Sequence, residues 1–141
     1  KLLLLISYLA LSSGYTVAGT AYSSTYSASS VIAPIEIEEK GIYNLTITVR
    51  FLKKSHDKNV FSSDEYGDLI DRLMIEWGSV ALQKVLENKI IKLSGLLKLR
   101  NSIHDGINIL ISKTKQKYGI SRKVDVVFSI NHFYLLEMIE R

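Results

Sequence analysis

The sequence contains no cysteine, one proline and three histidines in 141 residues. The absence of cysteine excludes a disulfide framework, a thiolate zinc site and thiol catalysis. Three histidines argue against a metal site built from histidine alone. The excess of positive charge is also small, because 18 Lys and Arg face 14 Asp and Glu, for a net charge of +4. Such a mild balance gives no reason to expect nucleic acid as a partner.

The composition is that of an ordinary globular domain, with 47% hydrophobic and 23% charged residues. The length suits one domain rather than two. No nucleophile-elbow, dinucleotide-binding or phosphate-loop pattern occurs. We therefore expect a protein that is not an enzyme and has no catalytic, cofactor-binding or metal-binding residues.

The isolated polar groups have ordinary structural interpretations. His56, with Asp57, Asp64 and Glu65 near it, falls in a predicted loop without metal-ligand spacing, so a solvated loop is favoured. His104-Asp105 and His132 have no accompanying nucleophile motif. The basic group formed by residues 113–117 with Arg122 and Lys123 is more typical of a solvated helix end than of a polyanion or headgroup site. Trp77 lies in an apolar helical stripe and is expected in the core.

The N-terminal stretch differs from the rest of the chain, because residues 2–22 carry no charge. Roughly 20 mainly apolar residues span a bilayer, so we predict a transmembrane helix within residues 1–22. The alternative is a cleaved signal peptide, with its apolar part in residues 2–11 and a small-residue cleavage site around Gly19 and Ala21. Because Lys1 is the only charge before Glu36, both interpretations place the following domain outside the cytoplasm. The predicted membrane-anchoring residues are Leu2, Leu3, Leu4, Leu5, Ile6, Leu9, Leu11 and Val17.

Residues 23–33 follow as a predicted serine-rich linker, since residues 23–30 (SSTYSASS) are uncharged, have small side chains and lack apolar periodicity. Such a segment is either a plain spacer or a linker that becomes ordered against a neighbouring subunit, and for a membrane scaffold we expect it to contact partner subunits. The residues predicted to make those contacts are Tyr22, Ser24, Tyr26 and Ser29.

Residues 34–141 have the pattern of an α+β domain. Ile35 and Ile37 indicate a short strand after Pro34, and strict alternation over residues 43–51 indicates a second. Apolar stripes at helical spacing predict one helix over residues 64–87 and another between Ser94 and Gly119. Alternation from Val124 predicts a closing strand that continues toward Leu136. The order ββααβ predicts a small antiparallel sheet covered by two amphipathic helices.

Four segments resemble the FliL family of flagellar basal-body-associated proteins. They are residues 69–86 (LIDRLMIEWGSVALQKVL), the bend at residues 89–93 with Gly95, the "LRNSI…IN" pattern of residues 99–108, and the closing strand at residues 124–133 (VDVVFSINHF). The resemblance implies a single-pass protein of the bacterial inner membrane with a periplasmic domain. It also implies a homo-oligomeric ring that supports the flagellar stator proteins and motility.

The same features are similar to the SPFH (stomatin-like) domain, where Tyr118-Gly119-Ile120 matches a turn before the last strand. That resemblance implies a membrane-bound oligomeric scaffold unrelated to flagella. A secreted periplasmic binding domain with a cleaved signal peptide is the third possibility.

Overall fold

A computed structural model describes residues 20–88 and 90–138. This part of the chain forms four strands, two long helices and two short 3-10 turns. The turns, at Lys58–Ser62 and Leu93–Gly95, each directly precede a long helix or the residue before it. The strands and long helices are β1 (Ala21–Ile37), β2 (Gly41–Ser55), α1 (Asp64–Glu87), β3 (Ile90–Ile91), α2 (Leu96–Lys117) and β4 (Asp125–Glu137). The α+β class and both helices are confirmed.

The four strands form one sheet in the order β3-β1-β2-β4. The central strand β2 pairs antiparallel with β1 on one side and with β4 on the other. The two-residue strand β3 pairs parallel with the end of β1, where Glu36 lies opposite Ile90. The sheet is therefore mixed, and the prediction of a purely antiparallel sheet is wrong. The reason is that the chain after α1 returns alongside β1 in the same direction.

The predicted linker is also wrong, because residues 23–33 form most of β1. This strand pairs with β2 from Ala21 opposite Ser55 to Ile37 opposite Gly41, with an irregularity between Tyr22 and Tyr26. β2 extends beyond the predicted strand at both ends. Its backbone N–H and C=O groups need hydrogen-bond partners along this greater length, and residues 21–33 of β1 supply them on one side.

The folded domain therefore already includes Ala21 and Tyr22, which belong to the segment predicted to be a membrane anchor. The eight predicted anchoring residues lie outside the described residues. Within residues 20–88 and 90–138, no helix is long and apolar enough to cross a membrane.

The hydrophobic core lies between one face of the sheet and the two helices. Inward positions alternate along the strands, as at Leu45, Ile47 and Val49, none of which has measurable exposure. Trp77 of α1 is 1% exposed and belongs to this core, as predicted. On the opposite face of the sheet the described side chains are mostly exposed or half-buried, whereas Thr46 on the central strand is buried. The helices therefore cover only one of the two faces.

The helices approach each other closely at Gly106 of α2. A Cβ atom at this position would lie 2.8 Å from Cγ1 of Val80 on α1. Valine is stiff at χ1, so its methyl group has little freedom to move away. In contrast, Gly67 of α1 has no atom within 4 Å of the corresponding position.

Replacing each glycine with alanine should therefore give opposite results. Gly67→Ala should raise the free energy of unfolding by roughly 0.5–1 kcal/mol, because alanine is the better helix former. Gly106→Ala should lower it by about 1–2 kcal/mol, since overpacking outweighs that gain. Urea unfolding followed by circular dichroism measures both. A Gly106→Ala variant as stable as Gly67→Ala would contradict the close approach of the helices.

Candidate functional site

The residues predicted to contact partners lie on both faces of β1. Tyr22, Ser24 and Tyr26 are exposed. The ring of Tyr26 lies 4.0 Å from the guanidinium carbon of Arg50, in a cation–π contact. Ser29 instead faces the helices, and its hydroxyl accepts a 2.7 Å hydrogen bond from the indole N–H of Trp77. The structure thus leaves three of the four available at the surface, and their partner-binding role stays a prediction.

The three histidines lie in separate places. His56 follows β2 and is exposed, whereas the His104 ring on α2 lies 4.5 Å from the Phe128 ring. His132 on β4 lies 3.2 Å from the hydroxyl of Thr48. Among residues 20–88 and 90–138, no group of three or more His, Asp or Glu side chains could hold a metal ion.

Two of the carboxylates near His56 in the sequence, Asp57 and Glu65, accept hydrogen bonds from backbone N–H groups. Oδ1 of Asp57 accepts a hydrogen bond from the N–H of Asn59 at 3.0 Å and so caps the 3-10 turn. Oε2 of Glu65 accepts a hydrogen bond from the N–H of Ser121, also at 3.0 Å. The second bond ties the loop before β4 to the start of α1.

The outer edges of the sheet form one candidate interaction surface. In the described part of the chain, β3 covers only Glu36 and Ile37 of β1, and no strand pairs with the outer edge of β4. Natural proteins protect such edges with charged side chains or proline. β1 has Pro34 near its covered end but no charge from Ala21 to Ile35. Most of its length is therefore an uncharged, unpaired edge.

Exposed apolar side chains also lie on α1, on the side of the helix opposite its buried residues. Ile75 is 79% exposed and Leu86 is 66% exposed, with Leu82 on the same helical flank. This flank faces away from α2, since Val80 lies on the α2 side. At the other edge, a groove of about 520 Å³ runs between α2 and β4, lined in part by His104 and Phe128.

The second candidate site is a cleft of about 340 Å³ at the end of the sheet where β1 begins. One wall comes from Lys54 and the residues after it, and the other from Arg122 and Lys123. Sequence reasoning missed this site, because Lys54 is far in sequence from the other two cations. Only the pairing of β2 with β4 brings the two segments together.

Tyr66 of α1 holds the two walls of this cleft together. Its side chain is fully buried, and its hydroxyl donates a 2.5 Å hydrogen bond to the carbonyl oxygen of Lys54. The carbonyl oxygen of Lys123 lies 3.3 Å from the same hydroxyl, which also accepts a hydrogen bond from the N–H of Asp125 at 3.2 Å.

No protein-family model, curated protein or solved structure matches this chain significantly. The resemblance to FliL therefore stays a prediction drawn from the sequence.

Replacing Tyr66 with phenylalanine should destabilise the protein by about 1–3 kcal/mol, because it leaves buried backbone groups without their hydrogen-bond partner. Tyr118→Phe is the matched control, since Tyr118 is 40% exposed and contacts Arg72 through its ring. Thermal unfolding of the two variants measures the difference. Equal stability would show that the Tyr66 hydroxyl does not hold the cleft together.

Proposed function

We propose that this protein is a membrane-anchored structural protein whose copies assemble edge to edge into a homo-oligomeric ring. The observation that carries the proposal is a pair of sheet edges that are largely unpaired among the described residues, one of which has no charge over most of its length. Unprotected edges of this kind pair readily with another strand. An edge that served no assembly would expose the protein to uncontrolled aggregation.

The orientation of the two edges supports assembly in a fixed direction. β1 and β4 each run antiparallel to β2, so they run parallel to each other. A second copy displaced sideways therefore brings its β4 alongside β1 of the first, and the sheet continues across the contact. Such head-to-tail contacts generate a closed ring when the rotation between copies permits.

Side chains on the open face of the sheet match across this contact. Ile32 on β1 and Tyr134 on β4 both lie level with Thr46 on β2. They are 63% and 45% exposed. In the continued sheet, Ile32 of one copy lies beside Tyr134 of the next copy, and β-branched and aromatic side chains form favourable cross-strand pairs.

Membrane anchoring is the second part of the proposal and rests on the uncharged stretch that precedes Thr20. An anchor confines the copies to one plane and raises their effective concentration, so weak lateral contacts suffice. Placement in the bacterial inner membrane with a periplasmic domain, and support of the flagellar stator proteins, rest on the resemblance to FliL alone. An SPFH-like scaffold would use the same contacts without a motor.

Ile32→Lys should weaken self-association about fivefold or more, because it removes a cross-strand pair worth up to ~1 kcal/mol and places a cation on the edge strand. Ile42→Lys is the matched control, since Ile42 is 55% exposed on the same face but lies on the central strand. Mass photometry of the full chain in detergent across a concentration series measures the association. Equal weakening by both substitutions would contradict edge-to-edge assembly.

Leu5→Lys together with Leu9→Lys should release the chain from membranes, because each lysine near the centre of a span costs about 2.5–3.5 kcal/mol. Ser79→Lys with Gln83→Lys adds the same charge to an exposed face of α1 and should leave attachment unchanged. Carbonate extraction of membranes separates the outcomes. Retention of the Leu5→Lys, Leu9→Lys protein in the membrane fraction would rule out the anchor.

The same variants also test the FliL-like role. Loss of swimming in cells that carry either the Leu5→Lys, Leu9→Lys protein or Ile32→Lys would support that role.

A further inference from the structure

The cleft at the end of the sheet has a charge pattern that assembly through the sheet edges does not require. Its walls carry Lys54, Arg122 and Lys123, with His56 beside them. Within residues 20–88 and 90–138, none of these lysine and arginine side chains lies within 4.0 Å of a carboxylate. Three cations thus share one concave surface without an ion-pair partner among the described residues.

The two carboxylates in the cleft are engaged by other groups. Asp57 caps the 3-10 turn through the N–H of Asn59. Oδ1 of Asp125 accepts a hydrogen bond from the N–H of Val126 at 2.9 Å and pairs with Nζ of Lys115 at 3.5 Å. Because Lys115 already balances Asp125, the positive charge of the cleft is left in excess.

The walls are also held in place before any ligand binds. The buried hydroxyl of Tyr66 connects the backbone of Lys54 with that of Lys123 and Asp125. The bond from Ser121 to Glu65 fixes the loop that carries Arg122. A site whose backbone is already ordered loses less conformational entropy on binding.

We propose that this cleft binds a phosphate group. Arginine presents a planar fork that matches phosphate oxygens, and lysines add point charges beside it. Thr20, which also lines the cleft, follows directly on the apolar N-terminal stretch. If that stretch is the anchor, the cleft faces the membrane surface and the phosphate belongs to an anionic lipid headgroup. The phosphate site itself goes beyond the proposed function, and only the lipid source rests on it.

The test uses the full chain in non-ionic detergent, with native mass spectrometry and three added compounds: phosphatidylglycerol, phosphatidylcholine and inorganic pyrophosphate. Arg122→Gln with Lys123→Gln removes two cations from the cleft while the backbone hydrogen bonds remain. Lys92→Gln with Lys98→Gln removes two exposed cations elsewhere and is the matched control. Equal thermal unfolding of the two double variants shows that neither has lost the fold.

The cleft variant should bind phosphatidylglycerol about 30-fold more weakly than the native chain, with the control variant unchanged. Pyrophosphate binding with the same dependence on Arg122 and Lys123, but no preference for phosphatidylglycerol over phosphatidylcholine, would support the phosphate site with a soluble ligand as the source. Equal effects of the two double variants, or no binding of either anion, would overturn the inference. A monomeric chain that still binds through these residues would contradict edge-to-edge assembly and leave the phosphate site standing.

Discussion

The backbone pairing of β1 with β2 is the interaction on which the rest of the structure depends. It runs from Ala21 opposite Ser55 to Ile37 opposite Gly41, so it spans the whole length of the central strand. The pairing gives α1 an inner surface to pack on, as seen where Trp77 donates its hydrogen bond to Ser29. It also leaves most of the outer edge of β1 without a partner strand among residues 20–88 and 90–138.

The two candidate surfaces follow from this arrangement in different ways. The sheet edges exist because the described strands form an open sheet in which β3 pairs with only two residues of β1. The cleft exists because β2 ends beside the start of β4, which brings Lys54 near Arg122, and because Tyr66 bonds to both segments. Edge pairing depends on apolar packing and backbone hydrogen bonds, whereas the cleft depends on charge. Salt should therefore weaken phosphate binding far more than self-association.

Much of the fold could be predicted from periodicity. The alternation that defines β2, the apolar stripes of α1 and α2, and the burial of Trp77 are all local patterns that survive in the structure. Only the end of β1, at Ile35 and Ile37, could be predicted from the sequence. Residues 21–33 could not, because serine and alanine have little strand preference of their own and this part of the strand forms through its pairing with β2. β3 could not be predicted either, because a strand of two residues is too short to show an alternating pattern.

The candidate surfaces were harder to predict than the elements. In the sequence, the basic group near the end of α2 has the pattern of a solvated helix end. The structure divides it, since Lys115 pairs with Asp125 while Arg122 and Lys123 line the cleft. Which charges converge depends on contacts between residues distant in sequence. The uncharged character of β1 is visible in the sequence, yet it indicates an open edge only after the sheet order is known.

The most direct measurement of edge-to-edge assembly is disulfide cross-linking, since the chain has no cysteine of its own. Ala28 and Ser129 are exposed and both lie level with Arg50, on opposite sides of β2. Within one chain they are two strand spacings apart, about 9–10 Å, which is too far for a disulfide. Oxidation of membranes that carry Ala28→Cys with Ser129→Cys should give a ladder of linked multimers, whereas either single variant should give none. A double variant that stays monomeric after oxidation would contradict the account.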